Sequence, residues 1–333
     1  MRSIRARLHS RVWNKGARGR GGTLPFPPMP PYRFPKIAFA ACIVVAGCLA
    51  GCGPAIRFTY NHADFGLRLL AHEYFDLHGA QADAVKAQLA LLHAWHRRDE
   101  LPLYAAAFDN AARRVGRGLK RDDVEWAMAI VRERTRALFL QAADDAAPLL
   151  LLIDEHNIEA LEKKLKSENE KYAREFLTPN AARNERARAR RLRDRIEDWT
   201  GDLNDGQEAL IAQFVHATQK NVAPWYGSRK LRQREFVEML RTGRGNPDLS
   251  SRLQEFLLEG EHHRSPEHAR LAAEQERAFI QLIVDLDATL TPRQRERAVR
   301  KLERYAEDCR VLVEEGRPKA QREQRAEISA SGS

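Results

Sequence analysis

Downstream of residue 59 the apolar residues recur at three- and four-residue intervals, the spacing of one face of an α-helix. Phe65, Leu69, Leu70 and Tyr74 form a first stripe, and Val85, Leu89, Leu92 and Trp95 a second. Asp123 to Leu140 runs without glycine or proline and carries Trp126, Ile130, Leu138 and Phe139 among arginines and glutamates. Further stripes follow at Ile158, Leu161, Leu165, Tyr172 and Phe176, then at Leu192, Ile196 and Trp199. Ala209 to Val215, Leu231 to Leu240, Leu253 to Leu257 and Leu271 to Leu286 continue the pattern, and Leu302, Tyr305, Cys309 and Leu312 close it. Pro224-Trp225-Tyr226-Gly227 reads as a turn, and Gly243 to Pro247 as the widest gap.

The joints between stripes repeat one device: an apolar residue, a cap, and an amide or acid three residues further on. Leu290-Thr291-Pro292-Arg293-Gln294 has threonine as cap and proline at the first helical position. Leu203-Asn204-Asp205-Gly206-Gln207 and Ile153-Asp154-Glu155-His156-Asn157 repeat it with asparagine and aspartate. Leu77-His78-Gly79-Ala80-Gln81, with His78 as cap, and Leu119-Lys120-Arg121-Asp122-Asp123 are weaker copies. The pattern predicts an all-α protein, a multi-helix bundle or elongated array of long amphipathic helices with short capped joints.

One stretch departs from helical amphipathicity. Ile37 to Cys52, IAFAACIVVAGCLAGC, carries no charge and follows Arg33 and Lys36. It is short of the about 20 residues a membrane span needs and reads as a signal segment. Its end, Leu49-Ala50-Gly51-Cys52, is similar to the lipobox of bacterial lipoproteins, which implies lipidation of Cys52 and cleavage before it. Residues 1–51 are then precursor, with Met29 as the expected true start. Residues 52–58 would be a lipidated tether, 59–315 a helical domain with a possible division near 200–247, and 316–333 a disordered tail poor in large apolar residues.

That division changes the meaning of the charge. The chain has 56 basic and 46 acidic residues, a balance that suggests nucleic acid as a partner. Nine of the basic residues and none of the acidic ones fall in 1–51, which leaves 47 against 46. No nucleic-acid partner is expected. Of four cysteines only Cys309 stands outside the signal and the lipidation position, so no intrachain disulfide framework is possible.

Four tracts, YNHADFGLRLLAHEYFD, LLHAWHRRDELPLYA, SENEKYAREFL and RLRDRIEDWTGDLNDGQEALI, together resemble a family of proteobacterial lipoproteins of unknown function, DUF6279. The resemblance runs from about Ile56 to Val313. Phe65 stands where the family is expected to have tryptophan, and His78 where threonine or serine is usual. From these tracts Tyr60, Asn61, Asp64, Trp95, His96, Glu100 and Trp199 are the candidate interaction residues. Separately, the Leu290 to Gln294 segment resembles the short motif of the periplasmic Spy and CpxP helical chaperones, a resemblance any good capping box produces.

Two histidine groups suggest metal chemistry: His93 and His96 with Asp99 and Glu100, and His262, His263 and His268 with Glu261 and Glu267. Neither has the His-Glu-x-x-His order of a helical zinc protease, and neither is adopted as a site. No catalytic residue, metal or cofactor is expected. The reading is a lipid-anchored envelope protein, at the outer membrane facing the periplasm, that works through interaction or as structure. A periplasmic chaperone-like or assembly factor and a hydrolase with an unfamiliar site are the alternatives. An envelope protein client is the expected partner, and the sequence leaves the oligomeric state open.

Overall fold

The computed structural model describes residues 53–243, 248–258 and 266–317. Among them there is no strand, and the expected all-helical plan holds. In order come α1 (Gly53–Asn61), α2 (Ala63–Phe75), α3 (Ala80–Trp95), a π-helical turn (His96–Glu100), α4 (Leu101–Gly116) and α5 (Arg121–Leu150). Then follow α6 (Glu155–Phe176), α7 (Ala181–Thr200), α8 (Asp205–Ala217), a 3₁₀ turn (Gln219–Asn221), α9 (Val222–Thr242), α10 (Leu249–Leu258), α11 (Pro266–Ala288) and α12 (Pro292–Glu315).

The caps act where the spacing put them. Gln294 N–H donates to the Thr291 hydroxyl at 3.2 Å, and Thr291 N–H donates to the Gln294 side chain at 3.0 Å. Asn204 with Gln207 and Asp154 with Asn157 form the same reciprocal pair at 2.9–3.1 Å. Each box satisfies two groups that a helix end leaves open. At the start of α3 the cap is Gly79 rather than His78, because the chain turns there through φ 50°, ψ −127°, which glycine adopts without a Cβ clash.

The side-chain amides of these boxes also pair with one another. Gln207 and Gln294 exchange hydrogen bonds of 3.1 and 3.0 Å, and Gln81 and Asn157 do so at 2.9 and 3.3 Å. The second N–H of each amide reaches a backbone carbonyl of the partner's joint: Gln207 to Thr289, Gln294 to Asp202, Gln81 to Leu152 and Asn157 to Phe75 and Asp76. In all four cases a carbonyl five residues before the partner amide is engaged. The α3–α6 and α8–α12 starts are therefore the same construction used twice.

One local reading changes. Pro224 to Gly227 is not a turn but the opening of α9, since a proline in the first helical turn removes an N–H that has no partner there anyway. Cys309 is buried. In addition, α1 begins at Gly53, inside the stretch expected as a tether.

Three buried clusters hold the helices. One joins Tyr74 and Phe75 to Ile158, Leu161, Phe236 and Leu253; a second joins Val124 and Leu192 to Ile211 and Phe279. The third joins Ile56 and Tyr60 to Leu101, Tyr305 and Leu312. Each combines residues from before 200 and after 247. The last helix, α12, lies along α4 and also touches α1 and α7. It closes the third cluster, where the candidate residues meet.

Candidate functional site

The site grows from the π-helical turn. Pro102 follows Leu101 and has no N–H for the carbonyl of Arg98, so the regular bonding register cannot continue through it. Upstream, Leu101 N–H bonds the carbonyl of His96, five residues back. The turn buries both His96 and Glu100 while Arg98 and Asp99 stay outside in a mutual ion pair at 2.6 Å. Such single π turns frequently mark functional positions.

His96 Nδ1 lies 2.9 Å from the hydroxyl of Tyr60, and Tyr104 meets the imidazole edge-on at 5.3 Å. Burial first, then the charges of His93 and Arg97, brings its pKa down to about 3. At neutral pH the ring is uncharged. Tyr60 is sandwiched further: the His93 ring stands 4.7 Å from its ring, and the Arg97 guanidinium lies over it at 5.2 Å. Arg97 also donates to Asn61 at 2.6 Å and to the Leu312 carbonyl at 3.3 Å, and Asn61 donates to Glu315 at 2.9 Å. This chain of bonds fastens α1 and the π turn to the end of α12.

Between these residues is a cavity of about 30 Å³ lined by Ile56, Leu101, Phe108, Tyr305 and Asp308 as well as His96. Asp308 sits 3.3 Å from Arg57, and burial raises its pKa. His96 Nε2 and Asp308 Oδ2 are both buried with no hydrogen-bonding protein partner. The space admits a water or two, against the roughly 300–1,000 Å³ of a small-molecule site. An imidazole with a pKa of about 3 is also a poor general base near pH 7.

The seven candidate residues thus divide. Tyr60 and His96 meet directly; Asn61 joins them through Arg97. Glu100 shares the π turn but is turned to Arg134 at 3.4 Å, its pKa raised by burial. Trp199 reaches the cluster from α7, edge-on to Tyr305 at 5.6 Å. Asp64 pairs with Arg68 at 3.5 Å, and Trp95 stands 6.3 Å from His96 by ring centroids, so both flank the cavity rather than line it. Cys52, His262, His263 and Glu261 lie outside the described residues. The other member of that histidine group, His268, has Nε2 2.7 Å from the Ser228 hydroxyl and 3.3 Å from the Pro224 carbonyl. The ring nitrogen thus stands between a hydroxyl and a carbonyl, and its tautomer sets whether Ser228 accepts or donates.

Tyr104, Arg57 and Asp308 escaped the sequence reading. Asp308 had a signal: it lies between Tyr305, Cys309 and Leu312 on the apolar face of α12.

Fold and site together define a helical-bundle protein with duplicated amide-paired joints and a small aromatic–histidine cavity. The chain belongs to the family of unknown function DUF6279, whose model matches residues 73–269. That match takes in the Gln81–Asn157 joint and the π turn, and leaves out Tyr60 and α12. No curated protein and no solved structure matches the chain.

Proposed function

We propose that this is a lipid-anchored protein of the bacterial envelope, held through Cys52 and acting by contact rather than by turnover. The observation that supports it is a stripe of exposed apolar residues directly after the lipobox. Phe58, Phe65 and Leu69 are 66%, 55% and 55% exposed and follow one another at helical spacing along α1 and α2. His62 lies between them, its ring 4.2 Å from Phe58. Exposed apolar residues gathered in one row mark protein or membrane contacts. At 1.5 Å per helical residue, Phe58 is about 8 Å along α1 from Gly53, the residue after Cys52. A diacylglyceryl group there would bring the stripe to the headgroup region of the same membrane, with Arg68, which lies over the Phe65 ring at 5.6 Å, beside it. No helix among the described residues is long and apolar enough to cross a membrane. Gly53 after the cysteine, in place of aspartate, supports sorting to the outer membrane.

The LTPRQ segment adds nothing to the chaperone-like alternative, since Gln294 is turned inward to Gln207. Labelling cells with a radioactive fatty acid tests the anchor: the wild type takes the label, and Cys52→Ala loses it and accumulates as precursor. Cys52→Ala matured and localised like the wild type would refute it. Phe58→Ser/Phe65→Ser/Leu69→Ser should remain lipidated and keep its fold while its first two helices become protease-accessible on vesicles. Unchanged protection of α1 and α2 in that variant would remove the membrane from the role of this face.

A further inference from the structure

A different set of side chains converges at the α3–α6 joint, on the surface and away from the aromatic cavity. Asp76 ends α2, His78 belongs to the turn before α3, and His156 is in the first turn of α6. One ligand-capable atom from each lies within 4.8 Å of the other two. His156 Nε2 is 3.0 Å from Asp76 Oδ2, and the rings of His78 and His156 are 5.6 Å apart. A fourth donor stands one turn back on α2: His72 Nε2 is 4.0 Å from Asp76 Oδ1. Its other nitrogen, Nδ1, bonds the backbone carbonyl of Leu77 at 3.0 Å. That bond requires the proton on Nδ1 and leaves Nε2 as a lone-pair donor, the arrangement by which metal-binding histidines are usually oriented.

We propose that Asp76, His78 and His156, with His72 as fourth donor, bind a divalent transition-metal ion that prefers imidazole and carboxylate, zinc above all. Three nitrogens and one carboxylate oxygen make a neutral-ligand-rich tetrahedral set. Bonds of about 2.0–2.2 Å bring tetrahedral ligand atoms to roughly 3.3 Å from each other, so Asp76, His78 and His156 close by up to about 1.5 Å and His72, which lies outside that group of three, swings in further. The side chains of His72, Asp76 and His156 are 58%, 49% and 59% exposed, and such groups rearrange at little cost. The backbone under them is fixed: the Gln81–Asn157 pair and its carbonyls hold the two joints together. Asp76 itself is the one non-glycine among the described residues with positive φ, 50°. Aspartate tolerates that region better than most residues, and it is where functional strain is stored. The ion would tie the end of α2 to the starts of α3 and α6.

The test uses the full chain, purified without a polyhistidine tag and stripped of metal, titrated with Zn²⁺ against a chelating chromophore and separately with Co²⁺. The proposal expects one strong equivalent, Co²⁺ visible bands of a tetrahedral or five-coordinate centre, and a Tm that rises with Zn²⁺. His156→Ala and His78→Ala should each weaken Zn²⁺ at least tenfold and abolish the Tm rise, with the metal-free Tm unchanged. Asp76→Asn, which keeps the left-handed backbone and one oxygen, serves if either alanine variant unfolds; it too should lose at least tenfold. Zn²⁺ affinity equal to wild type in the folded variants, or no binding tighter than millimolar, would overturn the proposal.

Discussion

His96 shows how one residue can be chemically conspicuous and still serve packing. A buried neutral imidazole resists protonation, so between pH 6.5 and about 3 the unfolded chain binds a proton that the folded chain does not. Its effect on stability therefore leaves the folded state unpenalised above pH 6.5 and weakens it progressively as pH falls through that window. The slope has a ceiling of about 1.4 kcal/mol per pH unit for one such group. Glu100 and Asp308, raised by burial, act with the opposite sign, which is why the comparison must be with a variant. His96→Gln should unfold in urea with a flatter pH dependence between pH 6.5 and 4, the difference from wild type reaching about 1 kcal/mol per unit; parallel curves would contradict the buried neutral ring. At this scale the sequence was partly legible. An aromatic and a histidine in tracts of mixed polarity flagged Tyr60 and His96, whereas Asp308 read as one more surface charge because thirty-one per cent of the chain is charged. Its place on the apolar face of α12 was in the spacing; its pairing with Arg57 depends on the approach of α1, which the spacing does not contain.

For single elements the starts were readable and their partners were not. Capping is local chemistry, carried by residues three apart, and it identified the beginnings of α6, α8 and α12. The amide pairing joins residues 76 and 87 positions apart, and nothing at either end announces the other. It has an energetic signature. Truncating one buried amide leaves the other with an unmet N–H and oxygen, at about 1–3 kcal/mol, whereas removing both with residues of similar shape avoids that penalty. Gln207→Leu and Gln294→Leu should each destabilise by about 2–4 kcal/mol including the lost cap, and the double variant by less than their sum by at least about 0.5 kcal/mol. Additive denaturation midpoints would show that the two boxes act separately. The π turn was invisible for another reason: Pro102 reads as the start of a new helix, and only the continuation of α3 into α4 reveals that it displaces the bonding register.

Across the whole molecule the periodic pattern marked ten of the twelve helices among the described residues, missing α1 and α4, and did not contain the manner of closure. Sequence neighbours such as α2 with α3 and α7 with α8 pack together, as short joints imply. The packing of α12 against α1 and α4 joins the two ends of the described chain and has no counterpart in the local pattern. Deleting α12 from Thr291 onward should remove the lid of the third cluster and half of the Gln207–Gln294 pair together. Hydrogen exchange should then lose protection in α1, α4 and α8, while α6 and α9, packed on each other in the first cluster, retain more of theirs; protection of α1 equal to wild type would disprove the closure. The Asn61–Glu315 bond spans 254 positions. A ribosome adding 5–20 residues per second needs roughly 10–50 s to travel that distance. For that interval the first helix of the bundle exists without the surface that will cover Ile56 and Tyr60. The birth of this protein is thus ordered in time: its opening segment must be kept from other apolar partners until the closing one is made.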